Sequence, residues 1–150
     1  MLNRKDGSEF TTGKMKYEYR ALDDGGRDMR ILIPVRLDDA VTILAMLDTG
    51  SSYVVVAPQF ASLVGQGEDL GKMRLQIRGV YYGGRIQRVT IGLVADEGSG
   101  LDVDATAFVV DPAETEVWGK LPCFVGVAGC LERVRIAIDP GEDVLHFGAV

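Results

Sequence analysis

The 150-residue sequence predicts an all-β domain, and three observations support that prediction. Its apolar residues fall in short runs, several of which alternate with polar residues as half-buried strands do. Turn-forming groups of glycine, proline and aspartate separate these runs, as at residues 23–26 and 139–143. Helical patterns are confined to two short stretches, at residues 58–65 and 128–133. Many short strands with frequent turns and little helix are typical of the all-β class.

The predicted strands follow one another in hairpins. Residues 29–37 form a strand that Pro34 places near an edge or a bulge, and an acidic turn leads back into residues 41–47. Because residues 41–47 are apolar apart from Thr42, we expect this strand to be buried and to bring Asp48 to its end. Further strands are predicted at residues 16–22, 72–80, 85–94, 101–110, 121–127, 134–138 and 144–147.

Proline and glycine mark the remaining elements. Pro58 at a first helical position and Gly65 at the end predict the first short helix, after which residues 66–71 are a loop. The segment Tyr81-Tyr82-Gly83-Gly84 stands between two strand patterns and predicts the turn of a long β-hairpin. An ordinary exposed hairpin would give the same pattern. Residues 111–120 are predicted to be a loop.

Composition and charge fit one globular domain that binds no nucleic acid. The chain is 47% apolar and 25% charged, and its length suits a single domain with its own core. The net charge of −6 and the scattered Lys and Arg argue against a nucleic-acid partner. No apolar stretch approaches the roughly 20 residues of a membrane helix, so we expect no membrane segment.

The first residues are expected to lie outside the domain. Residues 1–19 are polar and lack the apolar core of a signal peptide. Gly7-Ser8-Glu9-Phe10 is typical of a cloning-site remnant, so residues 1–14 are predicted to be a tag or a disordered segment. Residues 15–150 are then a single domain. Any targeting or anchoring segment could be missing, and the compartment is left open.

Apart from its carboxylates, the chain has few side chains that could act in catalysis. Cys123 and Cys130 are seven residues apart, and two buried thiols are a commoner outcome than a disulfide at that spacing. A zinc site is not expected, because His146 is the single histidine and there is no third cysteine. His146 also stands within a predicted terminal strand, which argues against a nucleophilic triad.

The turn Asp48-Thr49-Gly50-Ser51 is the strongest candidate site. A carboxylate at the end of a buried strand is costly unless it is used, and glycine admits close backbone approach. The same residues also suit a turn in which Asp48 merely accepts a hydrogen bond from its own backbone two residues on. The local pattern leaves both interpretations open.

The ordered set of elements resembles the retropepsin-like aspartic proteases, the single-domain retroviral type of the pepsin-like clan. The resemblance covers nearly all of residues 29–148 and implies a small closed β-barrel with one or two short helices. The matching pieces are the turn at residues 45–52, the helix at 58–65, a flap hairpin around 79–84, the element Phe124-Val125-Gly126 and the helix-to-strand segment at 131–139. The chain departs from the family in a longer segment at residues 126–131 and in tyrosines at the flap tip.

The resemblance implies an aspartic endopeptidase, a hydrolase that cleaves peptide or protein substrates as a homodimer. The chain has one Asp-Thr-Gly, so the second catalytic Asp48 must come from an identical subunit. Two carboxylates about 3 Å apart share one proton, so that one activates water and the other protonates the peptide carbonyl. We therefore expect activity at acidic pH, with no cofactor and no metal.

Supporting roles follow from the same resemblance. Gly50 would let the two turns approach, Thr49 would brace the partner turn, and Ser51 would donate to a neighbouring carboxylate and favour its ionised form. A flap would close over an extended peptide and exclude water. The residues predicted for this flap and for substrate binding are Gly79, Val80, Tyr81, Tyr82, Gly83 and Gly84.

Two other functions remain compatible with the pattern. A retropepsin-like fold can serve as a catalytically silent dimerisation or peptide-binding module, because fold does not imply function. An actin- or hexokinase-like phosphate turn would also use small hydroxyls and backbone amides near Asp48. That fold needs two α/β domains and a second phosphate turn, which a short chain with little helix does not supply.

Overall fold

The computed structural model describes residues 1–65 and 67–150 and confirms the all-β prediction. One four-residue helix, α1 (Thr115–Trp118), accompanies 3-10 helices at Pro58–Phe60, Pro112–Glu114 and Leu131–Arg133. The strands are β1 (Gly13–Lys16), β2 (Glu18–Ala21), β3 (Met29–Leu37), β4 (Val41–Leu47), β5 (Val54–Val56), β6 (Asp69–Ile77), β7 (Val80–Leu93), β8 (Glu97–Gly98), β9 (Leu101–Val110), β10 (Cys123–Val125), β11 (Val134–Asp139) and β12 (Val144–Ala149).

The larger sheet closes on itself, as the resemblance implied. Its strand order is β2-β3-β4-β10-β5-β9-β7-β6, and an additional pairing of β3 with β7 joins Val35 to Leu93. The closed barrel therefore consists of six strands, in the order β3-β4-β10-β5-β9-β7. Its interior holds large buried side chains such as Phe108 and Ile91. Strands β2 and β6 extend beyond the seam.

Pro34 lies where β3 changes its partner. On one edge, β3 pairs with β2 through residues 29–32 and with β7 through residues 35–37, while β4 pairs with residues 32–37 along the other edge. The proline has no N–H to donate, so it suits the gap between the two ladders.

Strand β10 lies between β4 and β5, and this insertion builds the floor of the candidate site. Phe124 pairs with Met46 in a parallel ladder on one side and with Val55 in an antiparallel ladder on the other. Because β4 and β10 run parallel and in register, with Leu47 opposite Val125, their carboxyl ends emerge side by side.

A second sheet, of order β11-β12-β1-β8, joins the two ends of the chain. Gly13 of β1 pairs with Phe147 of β12, and Met15 and Phe147 are fully buried. Thr11 is also fully buried, and its hydroxyl oxygen accepts a hydrogen bond from the N–H of Leu2 at 3.0 Å. Part of residues 1–14 thus packs against the domain. No helix in the described part of the chain is long and apolar enough to cross a membrane.

Several predicted boundaries are corrected by the structure. The predicted helix at 58–65 is a 3-10 turn at Pro58–Phe60, whose N-cap residue Ala57 supplies no side-chain cap. The predicted helix at 128–133 likewise shrinks to Leu131–Arg133. Segments this short do not form stable α-helices, because the first helical turn is unfavourable and few further hydrogen bonds follow it. The predicted loop at 66–71 gives way to β6 from Asp69 onward, and Gln66 lies outside the described residues.

The segment at residues 111–120 is more ordered than predicted. The carboxylate of Asp111 accepts a hydrogen bond from the N–H of Ala113 at 2.9 Å, and Pro112 follows it at the first helical position. An N-cap aspartate followed by proline is a helix-start signal, and the chain continues through the 3-10 turn into α1.

The tip of the long hairpin is not where the sequence placed it. The turn between β6 and β7 consists of Arg78 and Gly79, both with positive φ (53° and 83°). Two residues with positive φ make the type I′ turn that suits the twist of a tight hairpin. The predicted tip, Tyr81 to Gly84, lies within β7 and pairs with residues 73–76 of β6.

Candidate active site

Asp48 stands in a tight turn directly after β4. Its N–H donates to the carbonyl of Val125 at 3.1 Å, and its own carbonyl accepts from the N–H of Ser51 at 3.1 Å. Its Oδ1 atom accepts a hydrogen bond from the N–H of Gly50 at 2.9 Å. The hydrogen bond expected for a purely local turn is therefore present, and it involves one oxygen of a half-buried carboxylate.

The residues that directly follow β10 hold this turn in place by backbone hydrogen bonds. The N–H of Val127 donates to the carbonyl of Ser51 at 2.9 Å, and the N–H of Ala128 donates to that of Ser52 at 2.7 Å. Gly126 packs so closely that a Cβ atom there would lie 2.1 Å from the carbonyl oxygen of Tyr53. The apolar-apolar-Gly element thus acts as a brace that only glycine can complete.

A pocket of about 210 Å³ lies between the Asp48 turn and the hairpin tip. Asp48, Gly50 and the two serines that follow form one side, with Phe124 of β10. Residues 75–78, the last of β6 and the first of the turn, form the other side. Asp48 is the one carboxylate among the described residues that line this pocket.

The predicted flap residues do not line this pocket, although Gly79 lies in the tip and Val80 directly follows it. Tyr82 is buried, and its ring meets that of Trp118 edge-on with centroids 5.1 Å apart. Tyr81 is exposed, with the Arg74 guanidinium carbon 5.7 Å from its ring centroid.

Sequence reasoning missed the four hairpin residues that line the pocket, which are Leu75, Gln76, Ile77 and Arg78. The signal that could have found them was the single Arg78-Gly79 pair between two strand patterns, since X-Gly two-residue loops favour tight hairpins. The nearby segment Tyr81-Tyr82-Gly83-Gly84 contains a double glycine, which is also a common turn signal, so the pattern predicted the turn there.

The supporting residues of the turn differ in what they contact within one subunit. The hydroxyl of Ser51 donates to the carbonyl of Tyr53 at 2.8 Å, so in this chain it braces the backbone. Thr49 is exposed and does not line the pocket. A Cβ atom on Gly50 would meet Asp48 Oδ1 at 3.2 Å and no other heavy atom within 4 Å.

Both cysteines are buried free thiols, as predicted. Burial raises the pKa of the Cys123 thiol to about 12, although its sulfur accepts a hydrogen bond from the N–H of Ala57. Burial likewise raises the pKa of Cys130 to about 11, and the nearby Arg133 opposes this shift. His146 lies in β12, the predicted terminal strand. Among the described residues, no cluster of His, Cys, Asp and Glu could hold a metal ion.

Comparison with solved structures finds similarity to the crystal structure of a retropepsin-like aspartic protease from Rickettsia conorii. The two chains are 22% identical over an alignment that covers 91% of this chain and 90% of that chain, with a TM-score of 0.48. No protein-family model and no curated protein sequence matches this chain.

Proposed function

We propose that this protein is an aspartic endopeptidase that hydrolyses peptide bonds as a homodimer, with one Asp48 from each subunit. The observation that carries the proposal is the half-buried Asp48 carboxylate, which opens into a pocket whose other wall is a hairpin tip. A carboxylate beneath a hairpin that can cover an extended peptide is an arrangement suited to water-mediated peptide hydrolysis.

The single carboxylate supports the homodimer. Acid–base hydrolysis by aspartates needs one ionised and one protonated carboxyl group, and the described lining of this pocket supplies one. The open space around Gly50 is compatible with the approach of an identical turn. A two-fold axis through the site would place the second Asp48 opposite the first.

Each Asp48 would take one of two roles in turnover. The ionised carboxylate accepts a proton from water as that water attacks the peptide carbonyl, and the protonated one donates towards the carbonyl oxygen. The two groups exchange roles when the leaving amine is protonated. The hairpin would exclude bulk water and offer backbone hydrogen bonds to the substrate.

The experiment that tests this proposal is cleavage of a peptide library by the wild type and by Asp48→Asn, between pH 3 and pH 9. We expect cleavage on the acidic side that declines once the shared proton leaves, and its loss in the variant. A wild-type rate that rises steadily past pH 8 would contradict the shared-proton mechanism. Cleavage that persists in the variant would remove Asp48 from the chemistry.

One observation favours a second candidate, a catalytically silent dimerisation or peptide-binding module. The hydrogen bond from the N–H of Gly50 to Asp48 Oδ1 gives the carboxylate a structural role that needs no chemistry. Binding of a statine-type inhibitor separates the candidates, because the peptidase binds it through Asp48 and the module does not. The phosphate-turn alternative is not supported, since the described chain lacks the α/β domains it needs.

A further inference from the structure

A tight turn of residues 127–130, which we call the support turn, follows β10 and contacts the Asp48 turn. The N–H of Cys130 donates to the carbonyl of Val127 at 3.2 Å and closes the support turn. Gly129 has a φ of 72°, the conformation that glycine supplies at the third position of a type II turn. The first two N–H groups of the support turn donate to two carbonyls that follow Asp48, so its conformation determines where that part of the site is held.

The side chain of Glu132 completes the support turn. Its Oε1 atom accepts a hydrogen bond from the N–H of Gly129 at 2.7 Å, the short distance of a charge-assisted hydrogen bond. The hydrogen bond that closes the turn does not use this N–H. The backbone N–H of Glu132 also donates to the carbonyl of Val127 at 3.2 Å. Among the described residues, Glu132 is the one whose side chain hydrogen-bonds to the backbone of the support turn.

The support turn also packs against the barrel. A Cβ atom on Gly129 would lie 2.9 Å from Oγ1 of Thr106 in β9. The guanidinium of Arg133, the residue after Glu132, donates to the carbonyl of Asp104 in the same strand at 2.8 Å. The support turn is thus attached both to β9 and to the candidate site, and Glu132 fixes the conformation of the turn that joins them.

We propose that Glu132 is a positioning residue, whose carboxylate holds the support turn in the conformation that aligns Asp48 for catalysis. Glu132 does not line the Asp48 pocket, so it acts through the backbone. The catalytic consequence rests on the proposed function. Because proton transfer depends on geometry, a less ordered Asp48 turn lowers kcat. The other wall of the pocket, residues 75–78, belongs to β6 and its turn, so KM is expected to stay unchanged.

Hydrogen–deuterium exchange at the N–H groups of Val127 and Ala128, followed by NMR, tests the positioning role without requiring catalysis. Glu132→Ala is expected to raise both exchange rates about three- to tenfold, the range for the loss of one hydrogen bond. Glu132→Gln is expected to recover most of the protection, because its amide oxygen can accept the same hydrogen bond. Glu142→Ala is the matched control, since Glu142 is exposed in the turn between β11 and β12.

Peptide cleavage by the same variants tests the link to Asp48. We expect Glu132→Ala to lower kcat about three- to tenfold with KM unchanged, and Glu132→Gln to restore kcat. The positioning role is overturned if Glu132→Ala, with unchanged circular dichroism, exchanges at the wild-type rate, or if Glu132→Gln exchanges as fast as Glu132→Ala. A raised KM with unchanged kcat would assign Glu132 to substrate binding and would also overturn it. If the wild type cleaves no peptide, the peptidase proposal fails, and the exchange rates still decide whether Glu132 holds the support turn.

Discussion

The carboxyl group of Asp24 is stabilised in its ionised form by two donors of different kinds. The hydrogen bond from the N–H of Gly26 and then the hydrogen bond from Arg78 lower its pKa below the ordinary 3.8. Because the folded-state pKa is the lower one, ionised Asp24 stabilises the folded chain above about pH 3.8, and this stabilisation is lost as the pH falls through the lowered pKa. The ion pair therefore stays charged in mildly acidic solution.

Titration of Asp24 by carboxyl-carbon NMR measures these two contributions. In the wild type we expect a pKa below 3.8. In Arg78→Gln it should rise part of the way towards 3.8, because the larger contribution, from Gly26, remains. An unchanged pKa in that variant would mean that the ion pair is not formed in solution.

Gly126 shows how one missing side chain shapes the site. In Gly126→Ala the new Cβ would lie 2.1 Å from the Tyr53 carbonyl oxygen and 2.8 Å from that of Ser51, so the Asp48 turn must move. Overpacking of this kind costs about 1–3 kcal/mol, and we expect that loss in the free energy of urea unfolding. Gly83→Ala is the matched control, because its nearest neighbour is a Glu114 oxygen at 3.8 Å. Equal stability of the two variants would contradict this packing.

At the scale of elements, periodicity predicted the strands best where the chain alternates or is apolar throughout. The structure gives β3, β4 and β9 the bounds predicted for residues 29–37, 41–47 and 101–110. The turn of the β6–β7 hairpin was predicted at the wrong residues because glycine has two uses in strands and turns. Gly84 serves close packing, since a Cβ there would lie 2.3 Å from the Val109 carbonyl oxygen and 2.8 Å from the Phe108 ring. Sequence alone does not distinguish that use from a turn.

The buried cysteines in and after strand β10 report on how readily this part of the fold opens. Cys123 is 2% exposed and Cys130 1%, and burial raises the pKa of these thiols to about 12 and about 11. Both are therefore protonated at pH 8, and we expect a thiol-disulfide reagent to modify neither in the native protein within the time that modifies both in guanidinium. Rapid native modification of one thiol would show that β10 or the following turn opens readily.

At the scale of the whole molecule, the site could be predicted only in part because it depends on contacts between residues that are far apart in sequence. Asp48 could be proposed from the sequence because a buried strand leads into a conspicuous Asp-Thr-Gly, and the single motif per chain is the reason for proposing a second subunit. The insertion of β10 between β4 and β5 and the Asp24–Arg78 contact join residues far apart in sequence. Such long-range pairing leaves no local pattern, so it depends on the closed barrel as a whole.

The central claim is that each active site needs Asp48 from two subunits, and subunit mixing tests it most directly. Wild-type protein is equilibrated with an equal amount of Asp48→Asn, and peptide cleavage is compared with wild type at the same total concentration. If only dimers with two intact aspartates are active, random pairing leaves about one quarter of the wild-type rate. Asp39→Asn, whose side chain is fully exposed in the turn between β3 and β4, is the control partner and should preserve the full rate. A rate near one half, the value for independent subunits diluted by an inert one, would contradict the shared site.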